Sequence, residues 1–144
     1  MRGGRARRIL TVCLGNHCRS PLAAVVLDRL GGATIEARSA GIRDRWAGRP
    51  AHSTRVRVAA LRGYDLSAHR GAQVSGDLLE WADVVLAMDG TILAALRDLS
   101  DERTGAKLGL YLEDRDVPDP WGRDDAAFVA VVTLIEDGAA RFLP

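Results

Sequence analysis

Short apolar runs alternate with stretches in which apolar residues recur at helical spacing. Arg7 to Leu14, "RRILTVCL", is a β-rich run that breaks at Gly15-Asn16, a pair tolerant of left-handed backbone angles, so a first strand ends at Cys13 or Leu14. Ser20 then stands where a cap would, Pro21 suits a first helical position, and "LAAVVLDRL" carries a helix to Gly31-Gly32. "ATIEARS" reads as a second strand closed by Gly41. Ser53 to Arg62 forms a helix stopped by Gly63, and Gln73 to Trp81 adds a short one. "ADVVLAM" and "AKLGLYL" are third and fourth strands around a Thr91 to Leu99 helix, and Asp124 to Phe142 is a long final helical region.

Helices between short apolar strands predict a four-stranded parallel sheet covered on both faces, a three-layer α/β/α architecture. Such sheets bind ligands outside the carboxyl ends of their strands. That edge receives the loop after Cys13 and also Ser39, Asp89 and the Glu113 to Arg123 segment, because each follows a strand.

Composition narrows the picture. A chain of 144 residues fits one domain spanning 1–144, with residues 1–6 a flexible basic tail. A formal net charge of +1 gives no field that argues for nucleic acid. No apolar run reaches membrane-spanning length and no signal peptide is evident, so the expected setting is cytoplasmic, without membrane attachment. Early arginines and the late acidic residues Glu113, Asp114, Asp116, Asp119, Asp124 and Asp125 read, by charge alone, as solvated.

The chain's two cysteines both lie in "TVCLGNHCRSP", Thr11 to Pro21. A short loop running into a helix turns several backbone N–H groups toward one point, where helix polarity favours an oxyanion such as phosphate. Gly15 permits close backbone approach, Arg19 offers two donors to two anion oxygens, and the same donors favour the thiolate of Cys13 as a nucleophile. Walker spacing is absent, and the chain's one lysine is Lys107. Cys13 and Cys18 beside His17 fall short of a zinc site, with only His52 and His69 left to contribute, so no metal is expected. Cys18 is either packed or a resolving partner that traps oxidised Cys13 as a reversible disulfide. In "DRDVPDPWG", Asp116 and Asp119 are both candidate acids for a leaving oxygen; Asp119 is flanked by Pro118 and Pro120, and Trp121 offers an aromatic wall.

These motifs resemble the low-molecular-weight protein tyrosine phosphatase family: "CLGNHCRS" at Cys13 to Ser20, "SAG" at Ser39 to Gly41, "LSAHR" at Leu66 to Arg70, "AMD" at Ala87 to Asp89 and "DVPDPWG" at Asp116 to Gly122. The resemblance implies a flavodoxin-like or phosphotyrosine-phosphatase I-like fold and hydrolysis of protein phosphotyrosine through a cysteinyl-phosphate, without metal or organic cofactor. It implies Cys13 as nucleophile, Arg19 as phosphoryl clamp and Asp119 as acid. Leu14, Gly15, Asn16, His17, Cys18, Arg19 and Ser20 would surround the phosphate. Ser20 would hydrogen-bond the Cys13 sulfur, Asn16 would hold the loop's turn, and Ser39 and His69 would brace it. Trp121 and Trp46 would form the pocket rim, and Cys13 with Cys18 a redox pair. The partner implied is a phosphorylated protein, met by a monomer or weak dimer.

His17 replaces the family's usual aliphatic residue, or the threonine of the related arginine phosphatases; it either faces solvent or tunes pocket width and polarity. Arg45 occupies the usual rim position and Trp46 the next one. Trp81, Tyr111 and His52 read as packing, packing and ordinary surface. Rival functions are phosphoarginine hydrolysis, thiol-coupled arsenate reduction and non-enzymatic phosphate binding. The thioredoxin-coupled arsenate relay requires two cysteines beyond the loop, whereas Cys18 alone accompanies Cys13.

Overall fold

The computed structural model describes residues 5–144. Four strands, β1 (Arg7–Cys13), β2 (Ile35–Gly41), β3 (Val84–Ala87) and β4 (Leu108–Leu110), form a sheet of order β2-β1-β3-β4. Every neighbouring pair is parallel. The helices are α1 (Arg19–Gly31), α2 (Ser53–Leu61), α3 (Gly76–Trp81), α4 (Gly90–Leu99), α5 (Glu102–Gly105) and α6 (Asp125–Ala139).

Alternation along the central strand explains the layers. Ile9 and Cys13 of β1 pack with Leu22 and Val26 of α1, Val58 of α2 and Phe128 and Ile135 of α6. Leu10 and Val12 point the other way, toward Leu79 of α3 and Ile92 and Leu96 of α4. Ile9, Leu10 and Val12 are fully buried, as expected for a strand sandwiched between helices. The expected three-layer fold is therefore present. Among the described residues no helix is long and apolar enough to cross a membrane.

Several boundaries differ from expectation. Helix α1 begins at Arg19 behind Cys18, so Ser20 is not its cap and Pro21 is its third residue. Proline fits there because amides of the first turn have no intrahelical acceptor. Residues Gly32–Thr34 make a single 3-10 turn, tied by a Thr34 hydroxyl bond to the Gly31 carbonyl, which delays β2 to Ile35. Gln73 forms a bridge with Gly41, leaving α3 to start at Gly76 behind a Ser75 cap. The short helix α5 was not anticipated; Asp101 and Thr104 cap it reciprocally.

Of the expected basic tail, residues 1–4 lie outside the described residues. Arg5 is held by two hydrogen bonds to Asp83, at 2.8 and 3.1 Å. Trp81 packs against the α3–α4 side beneath the guanidinium of Arg38, and Tyr111 is fully buried with its hydroxyl donating to the Ile135 carbonyl.

Candidate active site

The carboxyl end of β1 delivers Cys13 into the loop that opens α1. Asn16 takes the left-handed conformation, with φ of 53°. Three contacts stabilise that turn: its side-chain amide donates to Ser20 Oγ at 2.9 Å, its Oδ1 accepts from the Ala72 amide at 2.8 Å, and its carbonyl accepts from His69 Nε2 at 2.8 Å. The last bond fixes Nε2 as the protonated ring nitrogen. Beyond β2, Ile42 and Arg43 donate their amides to the carbonyls of Cys13 and Leu14. Gly41 permits this approach, since a Cβ there would lie 2.8 Å from the Asn16 nitrogen.

Among the described residues, the backbone amides of Leu14, Gly15, Asn16, His17 and Cys18 donate no hydrogen bond. Consecutive unpaired donors at a helix N-terminus suit a tetrahedral oxyanion. Cys13 is buried, with Sγ 3.0 Å from Ser20 Oγ. The Ser20 hydroxyl also lies 3.3 Å from the Ala40 carbonyl, so its single proton serves either acceptor and moves to sulfur when sulfur carries charge.

Arg19 is buried and steered from its far side. Nη1 donates to Asp89 Oδ2 at 2.9 Å and to the Val117 carbonyl at 2.8 Å, while Nη2 stands 3.9 Å from Asp119 Oδ2. Among the described residues Nη2 and Nε donate no hydrogen bond, leaving one edge of the guanidinium for a ligand. Asp119 has about half its side chain exposed and accepts from the Trp121 amide at 3.0 Å. Asp116 instead accepts from the Gly90 amide at the start of α4. Only Asp119 of the two lines the cleft with Cys13 and Arg19, a space of about 180 Å³.

Aromatic rings wall that cleft. Trp46 stacks on His17 with centroids 4.0 Å apart and planes 9° from parallel, and Trp121 lies 6.0 Å from both. Gly15 makes room for Trp46, because a Cβ would come within 2.7 Å of the indole. His17 is thus buried against the rim rather than solvent-facing. Burial lowers its pKa, assisted by nearby His52 and His69. His52 is no ordinary surface residue: it is half-buried, 5.7 Å from His17 and 6.3 Å from Trp121. Arg45 lines the cleft with its guanidinium 5.1 Å from the Trp46 ring.

One further expectation changes. Ser39 donates no side-chain hydrogen bond to the loop; it pairs in register with Thr11, and Thr11 provides the brace, donating from Oγ1 to the Ser20 carbonyl at 2.8 Å. Cys18 is a buried free thiol whose pKa burial pushes up to about 12. Sequence reasoning also missed Arg55, a buried arginine on α2 that donates to the carbonyls of Pro120 and Arg123. No local signal marks it, because an arginine in an amphipathic helix reads as surface. Among the described residues no three His, Cys, Asp or Glu converge as metal ligands.

Fold and cleft together place the chain among parallel α/β proteins able to hold an oxyanion against a cysteine. Known proteins sharpen this. A model of the family described as low molecular weight phosphotyrosine protein phosphatase matches residues 8–144. The chain is 36% identical over 140 residues to the probable low molecular weight protein-tyrosine-phosphatase EpsP of Ralstonia nicotianae, covering 96% of this chain and 94% of that one. It is 34% identical over 137 residues to Wzb of Salmonella typhimurium, with 94% and 91% covered. Among solved structures, Vibrio vulnificus Wzb in complex with benzylphosphonate superposes with a TM-score of 0.87 at 31% identity, covering 94% and 96% of the two chains. The enzyme from T. tengcongensis gives 0.88 at 30% identity, covering 95% and 97%. The chain belongs to the low molecular weight phosphotyrosine protein phosphatase family and is a phosphatase, a hydrolase of phosphoric monoesters.

Proposed function

We propose that this phosphatase hydrolyses phosphotyrosine on proteins through a phosphorylated Cys13. The observation that carries this reading is the convergence of Cys13, Arg19 and Asp119 on one cleft whose mouth is walled by Trp46 and Trp121. The loop amides and the free edge of Arg19 receive the phosphoryl oxygens, and the indoles flank the phenyl ring.

In the first step the Cys13 thiolate attacks phosphorus as the bond to the tyrosyl oxygen breaks, and protonated Asp119 gives its proton to that oxygen. In the second, ionised Asp119 takes a proton from water, the water oxygen attacks phosphorus, and the S–P bond breaks. Ser20 donates to the departing thiolate, and inorganic phosphate leaves. Asn16 and His69 keep the loop in shape throughout, so its donors need little reorganisation. The site takes every group from one chain, which supports action as a monomer or weak dimer, one domain over residues 1–144. A nucleophilic thiol with a second free cysteine nearby supports a reducing, cytoplasmic setting.

The test compares turnover of phosphotyrosine, phosphoarginine and phosphoserine peptides, with rapid quenching to trap phosphate on Cys13. Turnover is expected with phosphotyrosine, and preference for phosphoarginine overturns the substrate assignment. Asp119→Asn should slow release of a poorly acidic phenol by about 10²–10⁴-fold. If Asp116→Asn shows that signature instead, the acid assignment is wrong.

A further inference from the structure

The loop that carries Asp119 is tethered to the body of the protein from an unexpected place. Among the described residues, all hydrogen bonds between residues 118–123 and the rest of the chain come from Arg55. Its Nη2 donates to the Pro120 carbonyl at 2.9 Å and to the Arg123 carbonyl at 3.3 Å. The remaining bonds of the segment are internal, Trp121 to Asp119 and Arg123 to Pro120. Asp119 itself approaches Arg19 no closer than 3.9 Å.

Arg55 is built for this contact. Its side chain is only 8% exposed, its guanidinium lies 4.9 Å from the Phe128 ring centroid, and its nearest carboxylate, exposed Asp125, is 3.8 Å away. A cation so desolvated is held mainly by carbonyl dipoles and an aromatic face. Both carbonyls, which bracket Trp121 and Gly122, accept from Nη2 alone, the far end of a side chain longer than that of lysine.

We propose that Arg55 is a positioning residue for the acid step: by clamping the Pro120 and Arg123 carbonyls it sets where the Asp119 carboxyl meets the leaving oxygen. The inference rests on Asp119 being the acid. Arg55 touches neither the substrate nor the reacting atoms. Its loss weakens proton delivery while leaving the phosphate loop intact, so the defect grows as the leaving phenol becomes less acidic.

The experiment measures kcat/KM on phenyl phosphate and on p-nitrophenyl phosphate for wild type, Arg55→Met, Asp119→Asn and the double variant, with inhibition by inorganic phosphate as the measure of the loop. Arg55→Met is expected to lower kcat/KM about tenfold or more for phenyl phosphate and less than about threefold for p-nitrophenyl phosphate, with phosphate inhibition within about twofold. In the Asp119→Asn background the same substitution should cost less than about twofold further. Equal losses on both esters, or an undiminished loss without Asp119, overturn the proposal. If Arg55→Met does not fold, Arg55→Lys decides by the same ratio: a loss skewed toward phenyl phosphate supports it and a flat loss overturns it. Absence of wild-type turnover on either ester is a different failure, that of the phosphatase reading, and Asp119→Asn with no leaving-group skew is the failure of the acid assignment.

Discussion

Asp89 holds Arg19 with one carboxylate oxygen and caps helix α4 with the other: Oδ2 accepts from Arg19 Nη1 at 2.9 Å and Oδ1 from the Ile92 amide at 2.9 Å. The start of α4 therefore fixes the orientation of a guanidinium supplied by α1. Asp89→Asn keeps a cap acceptor but turns amide hydrogens toward a buried cation. Losing a buried hydrogen bond to a charged group costs about 1.5–3 kcal/mol of stability, so the urea midpoint should fall, and with Arg19 less well aimed the inhibition constant of phosphate should rise about tenfold or more. Unchanged phosphate inhibition would show that Val117 alone suffices to aim Arg19.

Ser20 makes a second prediction. Its hydroxyl is the hydrogen-bond partner of Cys13 Sγ, at 3.0 Å. That bond gains strength as sulfur regains negative charge during hydrolysis of the phosphoenzyme. Ser20→Ala should lower kcat about tenfold or more and increase the amount of phosphorylated Cys13 trapped at steady state. A lower kcat without accumulation would locate the defect in the first step.

The strand, loop and helix around Cys13 were legible because each signal is local: an apolar run, Gly15-Asn16, then a helical pattern. Ser20 shows where local reasoning stops. Serine before proline looks like a helix cap, but its hydroxyl is claimed by Cys13 and Asn16, a tertiary demand that overrides the capping preference. Ser39 and Thr11 illustrate another limit: β1 and β2 set these hydroxyl residues side by side in register, and only side-chain geometry selects Thr11 as the brace. Arg55 acts on carbonyls 65 residues and more away, a separation no periodicity reports.

Cys18 yields a pH-dependent prediction. Burial pushes its thiol up to about 12, so near neutrality it is protonated and reacts slowly with oxidised Cys13. As a protective pair, Cys13 would be oxidised by peroxide to sulfenic acid, and attack of the Cys18 sulfur on that sulfur would form a disulfide and expel water. Below the pKa the thiolate fraction rises about tenfold per pH unit, so disulfide closure should accelerate from about pH 7 to about pH 9. Cys18→Ser should lose recovery by dithiothreitol progressively as peroxide exposure lengthens, because a sulfenic acid without a resolving thiol is oxidised on to sulfinic acid. Recovery that persists unchanged in this variant would exclude the pair as the protective device.

His69 links the phosphate loop to stability. Burial lowers its pKa from the ordinary 6.5, and Nε2 donates to the Asn16 carbonyl. Below the unfolded value of 6.5 an unfolded chain takes up a proton that the folded chain resists, so acidification favours unfolding. The contribution is fully present above that value and is lost as pH falls through the lower folded pKa. His17, lowered by its own burial, has the same sign. Urea midpoints should therefore fall from about pH 7.5 to about pH 5.5, above the usual carboxylate range. His69→Gln retains an N–H donor for the Asn16 carbonyl but does not titrate. It should stay close to wild type at the upper pH and lose less stability on acidification, and a slope identical to wild type would show that His69 exchanges its proton without cost to the fold.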